Sequence, residues 1–331
     1  MATRDIVTLG ASAGGIDTIQ RLVSKLPDDF PGSIMVVQHL HPRTPSVLDE
    51  IIQRATTLSV RFATDGEPIT RGQIRLAPPN CHLLVEKGYL RVVRGPRENR
   101  HRPAVDPLFR SAAWAYGPRV AAVILSGTLD DGVSGLWAVR SCGGTTLVQD
   151  PKEAAQSGMP MSALVALNVD HVAPVDRIAT LLDELARTEF DPGPAQRPPE
   201  LGLEVAAAEG AEMGVEGMRK LGRPSGFSCP ACHGGLWELT EGELEVYRCH
   251  IGHTFGPETL QEAQSREVEF ALESALRALE EQSAAARRLS ERLEASIPTL
   301  GLRYEKQAGN LEEQAAVIRK LLRNGQVQTT D

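Results

Sequence analysis

Between residues 5 and about 187, short runs rich in Val, Ile and Leu alternate with stretches in which apolar residues recur every three or four positions. The runs DIVTLG, SIMVVQH, QIRLAP, HLLVEK, YLRVVR, RVAAVILSG, GTTLVQD and VDHVAP predict strands. Several are continuously apolar rather than alternating, as parallel strands covered on both faces require. The pattern predicts a doubly wound, mostly parallel α/β sheet with helices on both faces, and an antiparallel hairpin, HLLVEKGYLRVVR, at one edge.

Beyond residue 189 the pattern changes. DPGPAQRPPELG holds four prolines and two glycines and predicts a linker over 190–226. A cysteine-rich patch occupies 227–256, and 257–325 reads as a helical hairpin broken at SIPTLG. Val268, Leu272, Ala275, Leu279, Gln282, Ala286, Leu289 and Leu293 follow alternating steps of four and three, and so do Tyr304, Ala308, Leu311, Ala315, Ile318 and Leu322. Such stripes predict two helices packed on each other, and could also pair with a second copy to form a homo-oligomer.

The chain has 331 residues, long enough for about two domains. With 43 Asp and Glu against 35 Lys and Arg, its net charge of −8 argues against a nucleic-acid partner. The basic run RVVRGPRENRHRP reads as a solvated loop. MATRDIVTLG enters a strand directly, without the features of an export signal, and no run is long enough to span a membrane. Five cysteines, three of them between 229 and 249, do not form a secreted disulfide framework. These features predict a cytoplasmic protein with no membrane insertion.

The first strand runs into GASAGG, where Gly10, Ser12 and Gly14 spell G-x-S-x-G. A strand-to-helix turn of this kind exposes a serine Oγ and aims the next backbone N–H, here that of Ala13, at a developing oxyanion. Glycine-rich turns also bind phosphates, but GASAGG lacks the dinucleotide spacing and no Walker lysine follows. A nucleophile needs a base and an orienter, which in an open α/β sheet stand beyond the carboxyl ends of strands. SIMVVQH ends at His39, and RVAAVILSG leads to TLDDG with Asp130 and Asp131. Ser12, His39 and one of these aspartates thus form a candidate hydrolytic triad, against which a phosphate-binding domain remains the alternative. His41, His101 and His82 are further candidates for the base, with less positional support.

In the patch, Cys229-x2-Cys232 is followed, sixteen residues on, by Cys249-x3-His253. Two such pairs joined by a hairpin suit tetrahedral Zn²⁺, and four protein ligands close the shell, so a structural zinc-ribbon-like site is expected rather than a catalytic one. His250 and His233 are alternatives for the fourth ligand.

The segments GASAGG, VVQHLHP, LAPPNCHLLV, RPAVDPLFRSAA, VILSGTLDDGVSGL and VQDPKEAAQSGMPMSA together resemble the catalytic domain of the chemotaxis protein-glutamate methylesterases, the CheB family. The resemblance covers residues 5 to about 185. It implies a triad of Ser12, His39 and Asp131 and so selects Asp131 over Asp130. It also implies hydrolysis of glutamate γ-methyl esters on a methylated chemoreceptor or similar signalling protein, glutamine deamidation as a further activity, and no cofactor for catalysis. The family's GMGNDG is here GTLDDG, which alters the loop presenting Asp131. A C-terminal module stands in place of the receiver domain that normally precedes the catalytic domain, so control by a receiver in the same chain is not expected. The alternative from another class is a catalytically weak scaffold that displays the zinc and helical module to partners.

Overall fold

The computed structural model describes residues 1–193, 197–211, 214–241 and 244–325. Its first half runs β1 (Ile6–Ala11), α1 (Gly15–Ser24), β2 (Ser33–Gln38), α2 (Leu48–Gln53), β3 (Ser59–Phe62), β4 (Gln73–Leu76), β5 (His82–Glu86), β6 (Tyr89–Val93) and α3 (Val105–Tyr116). It continues through β7 (Val120–Ile124), α4 (Val133–Ser141), β8 (Thr145–Gln149), α5 (Gly158–Ala166), β9 (His171–Ala173) and α6 (Val175–Arg187).

Seven strands form one parallel sheet in the order β3-β4-β2-β1-β7-β8-β9. Residues along each strand alternate between two cores. In β1, Val7 and Leu9 face the layer of α1, α2 and α6, while Ile6 faces the layer of α3, α4 and α5; in β2, Val36 and Val37 divide in the same way. On α1, Gly15, Thr18, Ile19, Leu22 and Val23 are buried, the three-and-four spacing of an amphipathic helix. Each large apolar side chain in that stripe contributes about 1.5–3 kcal/mol on full burial. β5 and β6 form a separate two-stranded sheet rather than an extension of the main edge, because Leu83, Val85 and Leu90 pack with Leu108 and Phe109 of α3.

The stretch 190–226, where the prolines predict a linker, carries α7 (Leu201–Glu209), α8 (Gly214–Leu221) and the start of β10 (Gly222–Ser228); residues 194–196 and 212–213 lie outside the described residues. Leu201, Val205 and Met218 are buried there. β10 pairs antiparallel with β11 (Gly235–Glu241), β11 with β12 (Leu244–Cys249), and β12 with β13 (Thr254–Phe255).

The chain divides into two compact units, Met1–Leu260 and Gln261–Asp331. The first therefore holds both the main sheet and the cysteine patch. The second contains most of α9 (Pro257–Glu294) and all of α10 (Pro298–Gly325), the expected hairpin. Its seam follows part of the expected stripe: Ala286, Ala308 and Ala315 are buried, while Ala275, Gln282 and Leu289 are exposed and Ser283, outside the stripe, is buried in their place. Small side chains let the two backbones approach, and Ser283 and Ser290 donate across the seam to the carbonyls of Ala308 (3.3 Å) and Gly301 (2.9 Å). Among the described residues no helix is long and apolar enough to cross a membrane.

Candidate active site and metal cluster

The sheet reverses its winding beside β1, and the register brings three carboxyl ends together. Gly10 lies opposite Val37 of β2 and Ile124 of β7, and the next N–H groups continue the ladder: His39 N–H donates to Ala11 O at 3.2 Å and Ser12 N–H to Ser126 O at 2.9 Å. A Cβ on Gly10 would stand 2.3 Å from a Val105 methyl. Gly14 has φ +72°, and a Cβ there would lie 2.7 Å from that of Ala155, so the corner needs glycine on both sides of Ser12. Ser12 O accepts from Gly15 N–H (2.9 Å) and Gln38 Nε2 (2.8 Å). Because the peptide is planar and trans, these bonds on the carbonyl direct Ala13 N–H the opposite way.

Ser12, His39 and Asp131 form a continuous chain. Ser12 Oγ is 2.9 Å from His39 Nδ1, and His39 Nε2 is 2.7 Å from Asp131 Oδ2. A carboxylate only accepts, so it selects the tautomer with the proton on Nε2, leaving the Nδ1 lone pair facing the serine hydroxyl. Asp131 also accepts from Val105 N–H (2.8 Å), Asn99 Nδ2 (2.9 Å) and Asp106 N–H (3.3 Å). Burial alone would raise the Asp131 carboxyl, but the bonds from His39, Val105 and Asn99 outweigh it and hold the group well below the usual carboxylate range. Neighbouring Asp106 shifts the other way, raised by burial and by the charge on Asp131.

The other candidates separate clearly. His41 is exposed and bonds Thr44 Oγ1 at 2.9 Å; His82 is buried, with Nε2 2.7 Å from Pro96 O. His101 lies flat on His39, ring centroids 3.6 Å apart. Asp130 turns away from the imidazole and accepts from the N–H groups of Glu258 (2.9 Å) and Thr259 (3.2 Å) and from Thr259 Oγ1. Leu129 takes φ +63° where the family pattern has glycine. The residue that sequence reasoning missed is Asn99, which lies in the basic run read as solvated but is 2% exposed.

Sγ of Cys229, Cys232 and Cys249 and a ring nitrogen of His253 all lie within 4.8 Å of one another; His250 and His233 are outside this cluster. Cys232 and Cys249 Sγ are 3.7 Å apart, and His253 Nδ1 is 3.6 Å from Cys249 Sγ and 3.7 Å from Cys229 Sγ. The cysteines are free thiols. A tetrahedron with Zn–S near 2.3 Å has edges of about 3.8 Å, so the donor set fits a closed four-coordinate metal.

Residues 7–182 match the family described as CheB methylesterase. A protein-glutamate methylesterase/protein-glutamine glutaminase of Anaeromyxobacter dehalogenans is 39% identical over 183 residues, 55% of this chain and 54% of that one. A counterpart from Rhizobium johnstonii is 35% identical over 181 residues, 54% of this chain and 49% of that one. The chain thus spans about half the length of these curated relatives. The crystal structure of the Thermotoga maritima CheB methylesterase catalytic domain aligns with a TM-score of 0.53 and 33% identity, covering 56% of this chain and 99% of that one. With the family match extending over more than half of its residues and the solved domain aligning over nearly its whole length, the chain belongs to the CheB methylesterase family.

Proposed function

We propose that the protein hydrolyses glutamate γ-methyl esters on a methylated chemoreceptor or similar signalling protein, with Ser12 as nucleophile, His39 as base and Asp131 as orienter. The unbroken chain from Ser12 Oγ through His39 to Asp131 carries this reading. His39 Nδ1 takes the hydroxyl proton as Oγ bonds to the ester carbonyl carbon, and the carbonyl electron pair moves to oxygen. Ala13 N–H meets that oxyanion. As the tetrahedral centre collapses, the C–OCH3 bond breaks and imidazolium Nδ1–H protonates the departing methoxide. Water, deprotonated by the same nitrogen, then attacks the acyl-serine and releases glutamate. A glutamine amide follows the same path with ammonia leaving, which supports a glutaminase activity. None of these steps requires a cofactor.

Cys229, Cys232, Cys249 and His253 would hold Zn²⁺ in a structural role, since they close the coordination shell. Thiolate ligands suit a reducing cytoplasm.

The test is methanol release from methylated chemoreceptors incubated with the full chain. Ser12→Ala should abolish release, with a loss of several orders of magnitude in turnover, while the thermal midpoint stays nearly unchanged. Activity near wild type in that variant would overturn the assignment.

A further inference from the structure

One tight turn, Glu98 to His101, touches both His39 and its partner Asp131. Glu98 N–H donates to His101 O (3.2 Å) and His101 N–H to Glu98 O (2.8 Å), closing a two-residue loop whose central residues, Asn99 and Arg100, take φ +47° and +68°. Left-handed backbone at a non-glycine such as Arg100 is unfavourable and persists only where the surroundings over-determine it. Here the inner face of the turn meets the site. Asn99 Nδ2 donates to Asp131 (2.9 Å) and Asp106 (2.8 Å), and the His101 ring covers His39.

The outer face is held by the residues that follow His253. Asn99 N–H donates to Thr254 O (2.7 Å), Thr254 N–H to Arg97 O (3.3 Å), and Gly256 N–H to Asn99 Oδ1 (2.9 Å). Both N–H groups of the Asn99 amide thus go to the carboxylates, and its oxygen accepts from Gly256, the residue after β13. Three residues on, the first turn of α9 binds the side chain next to Asp131: Glu258 and Thr259 donate to Asp130. Thr254 is itself fixed by Arg248 Nε (2.8 Å), whose guanidinium pairs with buried Glu204. Cys249 and His253 close the loop immediately before Thr254, with Cys249 N–H donating to His253 O at 3.0 Å.

We propose that the four-ligand cluster acts as a clamp on the triad: a bound metal fixes His253, His253 fixes Thr254 to Gly256, and these hold Asn99 so that Asp131 keeps His39 aligned with Ser12. This rests on the hydrolytic reading of those three residues and assigns Asn99 as a positioning residue. The metal sits outside the chemistry yet governs it, through the turn that carries Asn99.

The experiment uses the full chain, zinc-loaded and after chelator treatment, with p-nitrophenyl acetate as the probe ester and low-field proton NMR of the His39 Nε2–H facing Asp131. Chelation should lower kcat by about 100-fold, the cost of a displacement near 1 Å in a reacting constellation. KM should stay within about twofold, the acid limb of the kcat/KM profile should move to lower pH as Asp131 loosens, the NMR signal should be lost, and zinc should restore all of these. Asn99→Ala, with its metal retained, should show the same losses, and chelating that variant should add little, as non-additivity within one network requires. An unchanged NMR signal and kcat after metal removal would overturn the clamp. If chelation unfolds the chain, Asn99→Ala decides alone: wild-type kcat and an intact signal would overturn the proposal. A signal that follows the metal in a chain with no esterase turnover would support the clamp and reject the hydrolytic reading instead.

Discussion

The imidazoles of His101 and His39 stack with ring centroids 3.6 Å apart and planes 11° from parallel. Two rings this close cannot comfortably both carry charge. Burial, reinforced by the neighbouring His39, brings the His101 pKa down to about 3, so His101 stays neutral when His39 takes the serine proton.

That depressed value sets a pH dependence. Between about 3 and the ordinary 6.5 the unfolded chain binds a proton at this position that the folded chain refuses, so the contribution is fully present above 6.5 and is lost as pH falls toward 3. Acidification to pH 4 should therefore cost on the order of 1–3 kcal/mol at this site. His101→Phe, which keeps a flat ring on His39, should remove that slope from urea unfolding curves and retain turnover. An equal slope in variant and wild type would refute the assignment of the loss to His101.

The two adjacent aspartates should respond differently to the same substitution. An amide at 131 would offer N–H to Nε2, push the ring proton to Nδ1, and leave nothing to accept from Ser12; Asp131→Asn should lower kcat by about 10⁴-fold. Asp130→Asn should cost far less turnover but alter stability against pH. Burial, opposed by the Thr259 hydroxyl, brings the Asp130 pKa up to about 6, so its contribution is full below the unfolded value of 3.8 and is lost as pH rises through 6. The stability of wild type minus that of the Asn variant should fall between pH 4 and pH 7. Equal kinetic damage from both substitutions would show that the loop does not distinguish the two side chains.

Elemental analysis of the purified chain should find one zinc per molecule, absent from the Cys229→Ser, Cys232→Ser double variant. His253→Ala should weaken retention sharply, while His250→Ala should leave it near wild type, because His253 and not His250 lies among the thiols. Full zinc content in the double variant would reject the ligand set.

Much of this architecture could be read from linear pattern. The strands around the serine corner are runs of buried Val, Ile and Leu, and the rule that chemistry gathers beyond carboxyl ends pointed to His39 and the aspartate pair. β3 escaped because SVRF is four residues long with Ser59 and Arg61 exposed, so no apolar run marks it. The stretch after residue 190 was masked by its prolines, although Leu201 and Val205 within it are buried. The basic run misled for a deeper reason. Its arginines advertise solvent, yet Glu98 pairs with buried Arg110 and Asn99 reaches Asp131 thirty-two residues away, partnerships that no local window contains. In the terminal hairpin the heptad reading included Ala286, Ala308 and Ala315, which are buried, but it missed Ser283, whose hydroxyl reaches the Ala308 carbonyl across the seam.

Asp130 serves the first turn of α9 from a loop 128 residues earlier. A helix start that depends on so distant an acceptor cannot be completed by its own segment. During synthesis the loop after β7 leaves the ribosome well before Glu258 and Thr259, and N-terminal units fold first. The sheet is then already a template when the last helices emerge, and it decides where the long terminal helix begins.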